Sequence, residues 1–255
     1  MSDLSDRLKP YKSRAQRHKK AAVQARIAGD EALAREEFEE AHYAIDEAFA
    51  EIESRGTFNP SISGAIDQAT KDQAFELADC WGIRGGIYRE EGEVGKAIDA
   101  YDKGYALEVD PKYEIASTYN TVNRLVLRLL RDPRSLQPGD APGAGTAGSR
   151  LVPELLAEAG DAIAQKWRLM TDPVWALADM VLIKTLLQAP DAAEWEARLE
   201  SQAGNRFPFD SLRAVVKRLA ESELPVSPAL RDLEVRLEGN VAQKWPPRQT
   251  THPVG

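Results

Sequence analysis

Ala34, Phe38, Ala41, Ile45, Phe49 and Ile52 follow one another at steps of three and four residues, and that spacing constrains the chain more than any other feature. An α-helix completes a turn in about 3.6 residues, so side chains at these steps share one face. The other apolar segments keep the same period, and none shows the strict alternation or β-branched enrichment of a strand. The pattern predicts an all-α protein. Its helices are expected from about 34 to 55, 65 to 91, 94 to 108 and 112 to 131, then 151 to 170, 173 to 188, 191 to 203, 209 to 222 and 228 to 238. After the break "GTFNPSISG", Ser61 or Ser63 is placed to cap the second of these helices.

Residues 132–149, "DPRSLQPGDAPGAGTAGS", interrupt the helical pattern with three prolines and four glycines. Such a composition buries little apolar surface and reads as a flexible linker or surface loop between a region 1–131 and a region 150–240. Gly143, Gly145 and Gly148 within it have the spacing of a dinucleotide-binding turn. That turn needs a buried strand before it, and here proline-rich chain precedes. Ser149 and Arg150 also stand where a phosphate loop requires Lys and Ser or Thr, so no nucleotide cofactor is expected. Residues 241–255, ending "KWPPRQTTHPVG", are too rich in proline to continue a helix and read as a disordered tail.

With 43% hydrophobic residues the 255-residue chain can bury a core without metals or disulfides. The single cysteine, Cys80, has no partner for a disulfide or a zinc site and reads as a buried structural thiol. The start "MSDLSDRLKP" has no apolar core, and the most apolar stretch, "VWALADMVLIKTLL", is too short for a bilayer and carries Asp179 and Lys184. A cytoplasmic protein without membrane contact is expected.

The net charge of -8 argues against wholesale nucleic-acid binding, but the charge is unevenly spread. From Arg7 to Arg26 there are eight Lys or Arg residues and no acid, whereas residues 30–53 hold ten Asp or Glu. Two such helices packed antiparallel would attract each other; alternatively the basic helix 7–26 is an anion-binding surface, and nucleic acid is its candidate ligand.

In "WGIRGGIYREEGEVGKAIDAYDKGYALEVDP", Trp81, Gly85, Tyr88, Gly92, Ala97, Tyr101 and Gly104 occupy fixed intervals that contain no catalytic group. Gly29, Ala34, Phe38 and Ala41 repeat the second half of the pattern 63 residues earlier. Small residues at Gly85, Ala97 and Gly104 would let two helices approach, the rings of Trp81, Tyr88 and Tyr101 would fill the space between hairpins, and Gly92 would supply the turn. This spacing resembles the tetratricopeptide repeat, a 34-residue helix-turn-helix. Arg84 stands where the family has Leu, and Pro111 falls two residues late. The resemblance implies an irregular solenoid of helical hairpins over residues 15–131, followed by a second helical layer. "YNTVNRLVLRLL" and "DPVWALADMVLIKTLL" are also similar to the irregular tetratricopeptide region of kinase kinase kinases called the TRAF-binding domain, which would imply a signalling scaffold or regulatory subunit.

Stacked hairpins present a concave face lined by the first helix of each pair, so a non-catalytic protein-binding adaptor is the expected function. The resemblance places groove positions at Lys19, Val23 and Arg26, at Gly82, Gly86 and Arg89, and at Asn120, Asn123 and Arg124. Gly82 and Gly86 stand where family members that hold chaperone tails need Lys and Asn, so that ligand is not expected. The basic ladder Lys19, Arg26, Arg89 and Arg124 favours an acidic or phosphorylated peptide or helix. His18, His42 and His252 belong to no catalytic or metal motif, and no enzyme chemistry or metal is expected.

Overall fold

The computed structural model describes residues 3–56, 58, 66–136, 152–167 and 173–245. Among these it contains ten α-helices and no strand, as the apolar period requires. The chain divides into two compact units, Met1–Leu127 and Arg128–Gly255.

The first unit is built from two helix hairpins, α1 (Asp3–Ile27) with α2 (Glu31–Glu53) and α3 (Gln68–Glu91) with α4 (Val94–Glu108), and from the first turns of α5 (Tyr119–Arg131). Both hairpins turn in the same way. Gly29 has φ 82° and Gly92 φ 93°, in the left-handed region that a side chain disfavours. Gly29 N–H donates to Arg26 O at 3.0 Å and Asp30 N–H to Ala25 O at 2.9 Å; Gly92 N–H donates to Arg89 O at 3.2 Å and Glu93 N–H to Tyr88 O at 2.9 Å. The 63-residue offset in sequence is therefore an offset between two equivalent turns.

Between α1 and α2 the charges pair as their signs require, Arg7 with Glu51 at 3.7 Å, Arg14 with Glu47 and Arg26 with Glu31 at 3.7 Å, and the His18 ring meets Glu37 at 2.6 Å. Alanines 15, 22, 34, 41, 44 and 48 are buried beneath them with Phe38, Ile45 and Ile52. Trp81 and Tyr88 join one hairpin to the other, Trp81 packing on Phe49 at 4.6 Å and Tyr88 on His42 at 4.5 Å between ring centroids. Arg84 pairs with Asp46 and lays its guanidinium 4.8 Å above the Phe49 ring, so an aliphatic stem and a cation–π contact occupy a position where an apolar side chain was expected. Lys12 Nζ bridges Glu76 at 2.7 Å and Asp79 at 2.8 Å. Cys80 is fully buried in the same core, where burial first and the charge of Asp79 second push its thiol up to about 12.

Two of the repeat positions pack differently from the expectation. Tyr101 lies within its own hairpin, its ring against Gly85, where a Cβ would come within 2.7–2.8 Å of it. At Gly104 the side chain that a Cβ would meet first is the Asn120 amide of α5.

Several boundaries also move. α3 begins at Gln68, capped by the Asp67 carboxylate, which accepts from Thr70 N–H at 2.8 Å; Ser61 and Ser63 lie outside the described residues. α5 begins at Tyr119 instead of 112, because Tyr113 and Ile115 are buried against Ala74, Ala78 and Leu107 as anchors of an irregular segment in which Glu114 takes φ 54°. The carboxylate of Glu108, at the end of α4, then caps α5: Oε1 accepts from Asn120 N–H at 3.0 Å and Oε2 from Thr121 N–H at 3.0 Å. The Ser117 and Thr121 hydroxyls and the Asn120 amide also donate to it.

The second unit holds α6 (Val152–Lys166), α7 (Pro173–Leu186), α8 (Ala192–Gln202), α9 (Phe207–Ala220) and α10 (Ser227–Lys244). α7 is buried on all sides, with Leu177, Val181, Leu182, Ile183 and Leu186 covered, and the helices form a bundle around it and not a flat layer. The α7–α8 pair and the α9–α10 pair begin 34 residues apart, at Pro173 and Phe207. Ala178 and Leu212, Leu182 and Val216, Leu199 and Leu233 are corresponding buried positions. The α7–α8 turn repeats the geometry of Gly29 and Gly92, with Gln188 at φ 50° donating to Thr185 O at 3.0 Å and Ala189 to Lys184 O at 2.9 Å. α10 runs on to Lys244, past the expected start of the tail at 241, because Leu230, Leu233, Leu237 and Val241 continue one buried stripe. Tail residues 246–255 and linker residues 137–149, with Gly143, Gly145 and Gly148, lie outside the described residues; residues Pro133–Leu136 of the linker form a short 3-10 turn. No helix among the described residues is long and apolar enough to cross a membrane.

Candidate functional site

Four of the expected groove residues come together in the first unit. Arg89 on α3 donates from Nε and Nη2 to Glu90 Oε1 at 3.0 and 2.9 Å, and from Nη1 to Asn123 Oδ1 on α5 at 2.9 Å. Arg26 on α1 donates to the Glu90 carbonyl at 2.5 Å and lies 5.0 Å above the Phe38 ring. Lys19, two turns earlier on α1, brings its ammonium to the same place.

Asn120 and Arg124 are elsewhere. Asn120 is 2% exposed, and its amide donates to Ala78 O at 3.0 Å and Glu108 Oε1 at 2.9 Å. Arg124 is 6% exposed, pairs with Asp102 at 3.1 Å and stacks 3.6 Å from the Tyr105 centroid. Glu108 draws the first turn of α5 inward, so these two side chains hold the unit together and offer nothing to a groove. Of the remaining expected positions, Val23 packs on the core and Gly82 lies under the Tyr119 ring.

The cluster is centred on Gly86. The place a Gly86 Cβ would occupy lies 3.4 Å from Lys19 Nζ, 3.7 Å from Tyr101 Oη and 3.7 Å from Tyr119 Oη. Three polar heads from α1, α4 and α5 thus surround a stretch of bare backbone on α3. Lys19 is half-buried and makes no hydrogen bond or ion pair with any described residue. Burial first, and the neighbouring charge of Arg89 second, lower its pKa, against a smaller opposing pull from Glu90. Tyr101 is fully buried, and its hydroxyl has no partner of hydrogen-bonding geometry, although the Tyr119 phenol stands beside it. Burial, and then Tyr119, push the Tyr101 hydroxyl well above its usual pKa. A buried hydroxyl left without a partner costs about 1–3 kcal/mol, so a fold keeps few of them.

No family model, curated protein or solved structure matches the chain. The cluster at Gly86 is therefore what a functional reading has to rest on. It gathers positive charge and hydroxyl donors around one point, which is the chemistry that holds an anion. Tyr119 carries no signal in the sequence, and Tyr101 reads there as packing alone. The one available signal is its counterpart Phe38, 63 residues earlier: both positions hold a ring, and only the later one adds a hydroxyl.

The other titratable clusters are ties between helices. His18 meets Glu37, and His42 Nε2 meets Glu91 at 2.9 Å. No group of three or more His, Cys, Asp or Glu among the described residues is placed to hold a metal ion.

Proposed function

We propose that the chain is an irregular tetratricopeptide-type repeat protein that works as a non-catalytic adaptor, holding an anionic segment of another protein at the face of the first unit where α1, α3 and α5 meet. The observation that carries this reading is the ammonium of Lys19, half-buried beside Arg89 and in no ion pair or hydrogen bond with a described residue. A cation kept in that state is stabilised when an anion arrives. The repeat assignment is supported by the shared turn at Gly29 and Gly92 and by the 34-residue offset between α7–α8 and α9–α10.

Nucleic-acid binding through the basic helix is less well supported, because Arg7, Lys12, Arg14 and Arg26 are paired with acids of the same chain and leave Lys9, Arg17 and Lys20 as the exposed cations with no acid partner among the described residues. Fluorescence anisotropy with a labelled Asp- and Glu-rich peptide tests the proposal. Lys19→Glu is expected to weaken binding at least about tenfold, whereas a Lys9→Glu/Lys20→Glu double variant leaves it unchanged. The reverse pattern, with steeply salt-dependent binding of random-sequence DNA, would move the function to the outer face of α1.

A further inference from the structure

Resting on the adaptor reading, we propose that Lys19 Nζ, Tyr101 Oη and Tyr119 Oη form a three-donor pocket over Gly86 for the phosphoryl group of a phosphoserine or phosphothreonine in the partner peptide. The donors decide between anions. A carboxylate presents two coplanar oxygens and is matched best by the planar fork of an arginine. Arg89 has committed its side-on edge, Nε and Nη2, to Glu90 and one N–H of Nη1 to Asn123, and Arg26 has turned to the Glu90 carbonyl. Beside them stand three single donors on three different helices, each 3.4–3.7 Å from the place a Gly86 Cβ would take. That arrangement fits a phosphoryl group, whose three terminal oxygens diverge tetrahedrally from phosphorus.

Charge points the same way. Lys19, Arg89 and Arg26 stand against Glu90 and, at the exposed edge, Glu31. A positive excess is left beside a hydroxyl that is buried and unpaired. A phosphomonoester brings about 1.5 to 2 negative charges at pH 7 and acceptors enough for all three donors. Gly86 places no side chain between them, and Tyr119, 43% exposed, is the donor that faces solvent.

The test is isothermal titration calorimetry on the full chain with three otherwise identical short peptides, carrying phosphoserine, glutamate or serine at one position, and with inorganic phosphate, sulfate and acetate as competitors. The phosphoserine peptide is expected to bind at least about tenfold more tightly than the glutamate peptide, and phosphate and sulfate to compete where acetate does not. Tyr101→Phe keeps the ring and deletes the unpaired hydroxyl, so its Tm should hold or rise while phosphopeptide affinity falls about tenfold. Lys19→Met should lose the phosphopeptide altogether, and Lys20→Met, exposed on the same helix, should keep it. Equal affinity for the phosphoserine and glutamate peptides would overturn the phosphoryl assignment and leave the adaptor reading standing. Binding of inorganic phosphate without the phosphopeptide would do the opposite, keeping the pocket and removing the peptide partner. A Tm that falls in Tyr101→Phe with phosphopeptide affinity unchanged would show the hydroxyl to be part of the fold, and would sink the pocket. Single-stranded DNA that binds as tightly as the phosphopeptide and is lost in Lys19→Met would reassign the pocket to a phosphodiester backbone.

Discussion

Ala22, Phe38 and Ala41 in the α1–α2 hairpin stand where Gly85, Tyr101 and Gly104 stand in α3–α4, each 63 residues later. The first hairpin buries a ring among alanines and lines its edge with ion pairs. In the second, one side chain is larger by a hydroxyl and its neighbours are smaller by a methyl, so the ring lies over Gly85 and its polar end projects to where α1 and α5 also converge. The exchange of Ala–Phe–Ala for Gly–Tyr–Gly leaves the turn untouched and changes what the interior contains. In the first hairpin the buried polar atoms without a hydrogen bond, Arg14 Nε and Nη2 and Glu47 Oε2, belong to the ion-paired edge. In the second, one such atom is the hydroxyl of the buried ring itself, set beside the Tyr119 phenol without hydrogen-bonding geometry, a local conflict with stability of the kind that functional sites keep.

The comparison can be broken at several points. The largest effect is expected from Tyr101→Ala, which empties a fully buried site and should cost about 3–5 kcal/mol in urea denaturation. A loss below 1 kcal/mol would show the ring to be dispensable. Next comes the reciprocal exchange. Gly85→Ala drives a methyl into the buried Tyr101 ring and should cost about 1–3 kcal/mol by overpacking, whereas Ala22→Gly should cost about 1 kcal/mol through helix propensity. Equal and small effects would mean that the two interfaces are interchangeable. The third turn gives a gain: Gln188→Gly relieves a left-handed residue where Gly29 and Gly92 already have glycine, and should stabilise by about 0.5–1 kcal/mol. Smallest of all, Arg14→Ala should cost less than about 1 kcal/mol, because the ion pairs along α1–α2 are partly exposed. Cys80 offers a common readout. With its thiol pushed up to about 12 and fully buried between the hairpins, it should resist alkylation in the native protein and react in the Tyr101→Ala variant as the core opens.

The period of the apolar residues placed the helices, and the sign of the charges placed α1 against α2, because both depend on neighbours in sequence or on sums over a whole helix. The glycine turns were legible for the same reason, since Gly29 and Gly92 act through their own φ. The site was half legible. Lys19, Arg26, Arg89 and Asn123 meet as their helical positions suggest, but Asn120 and Arg124 turn inward under the control of Glu108, twelve or more residues away on another helix. No local pattern encodes that reach. Tyr119 at Gly86 depends on it too, and so could not be foreseen from spacing.

Glu108 has a consequence for the order in which the chain assembles. The first turn of a helix is costly to nucleate and is usually closed by a capping side chain from its own segment. Tyr119 N–H reaches Ser117 Oγ of its own segment at 3.3 Å, but α5 borrows the acceptor for residues 120 and 121 from the end of α4, so these two amides have no capping side chain until α4 is formed and its last carboxylate is in place. Helix ends commonly fray on their own. Here the start of α5 is stitched to the preceding hairpin by the two oxygens of one side chain, so backbone amides at 120 and 121 should exchange with solvent only when α4 opens.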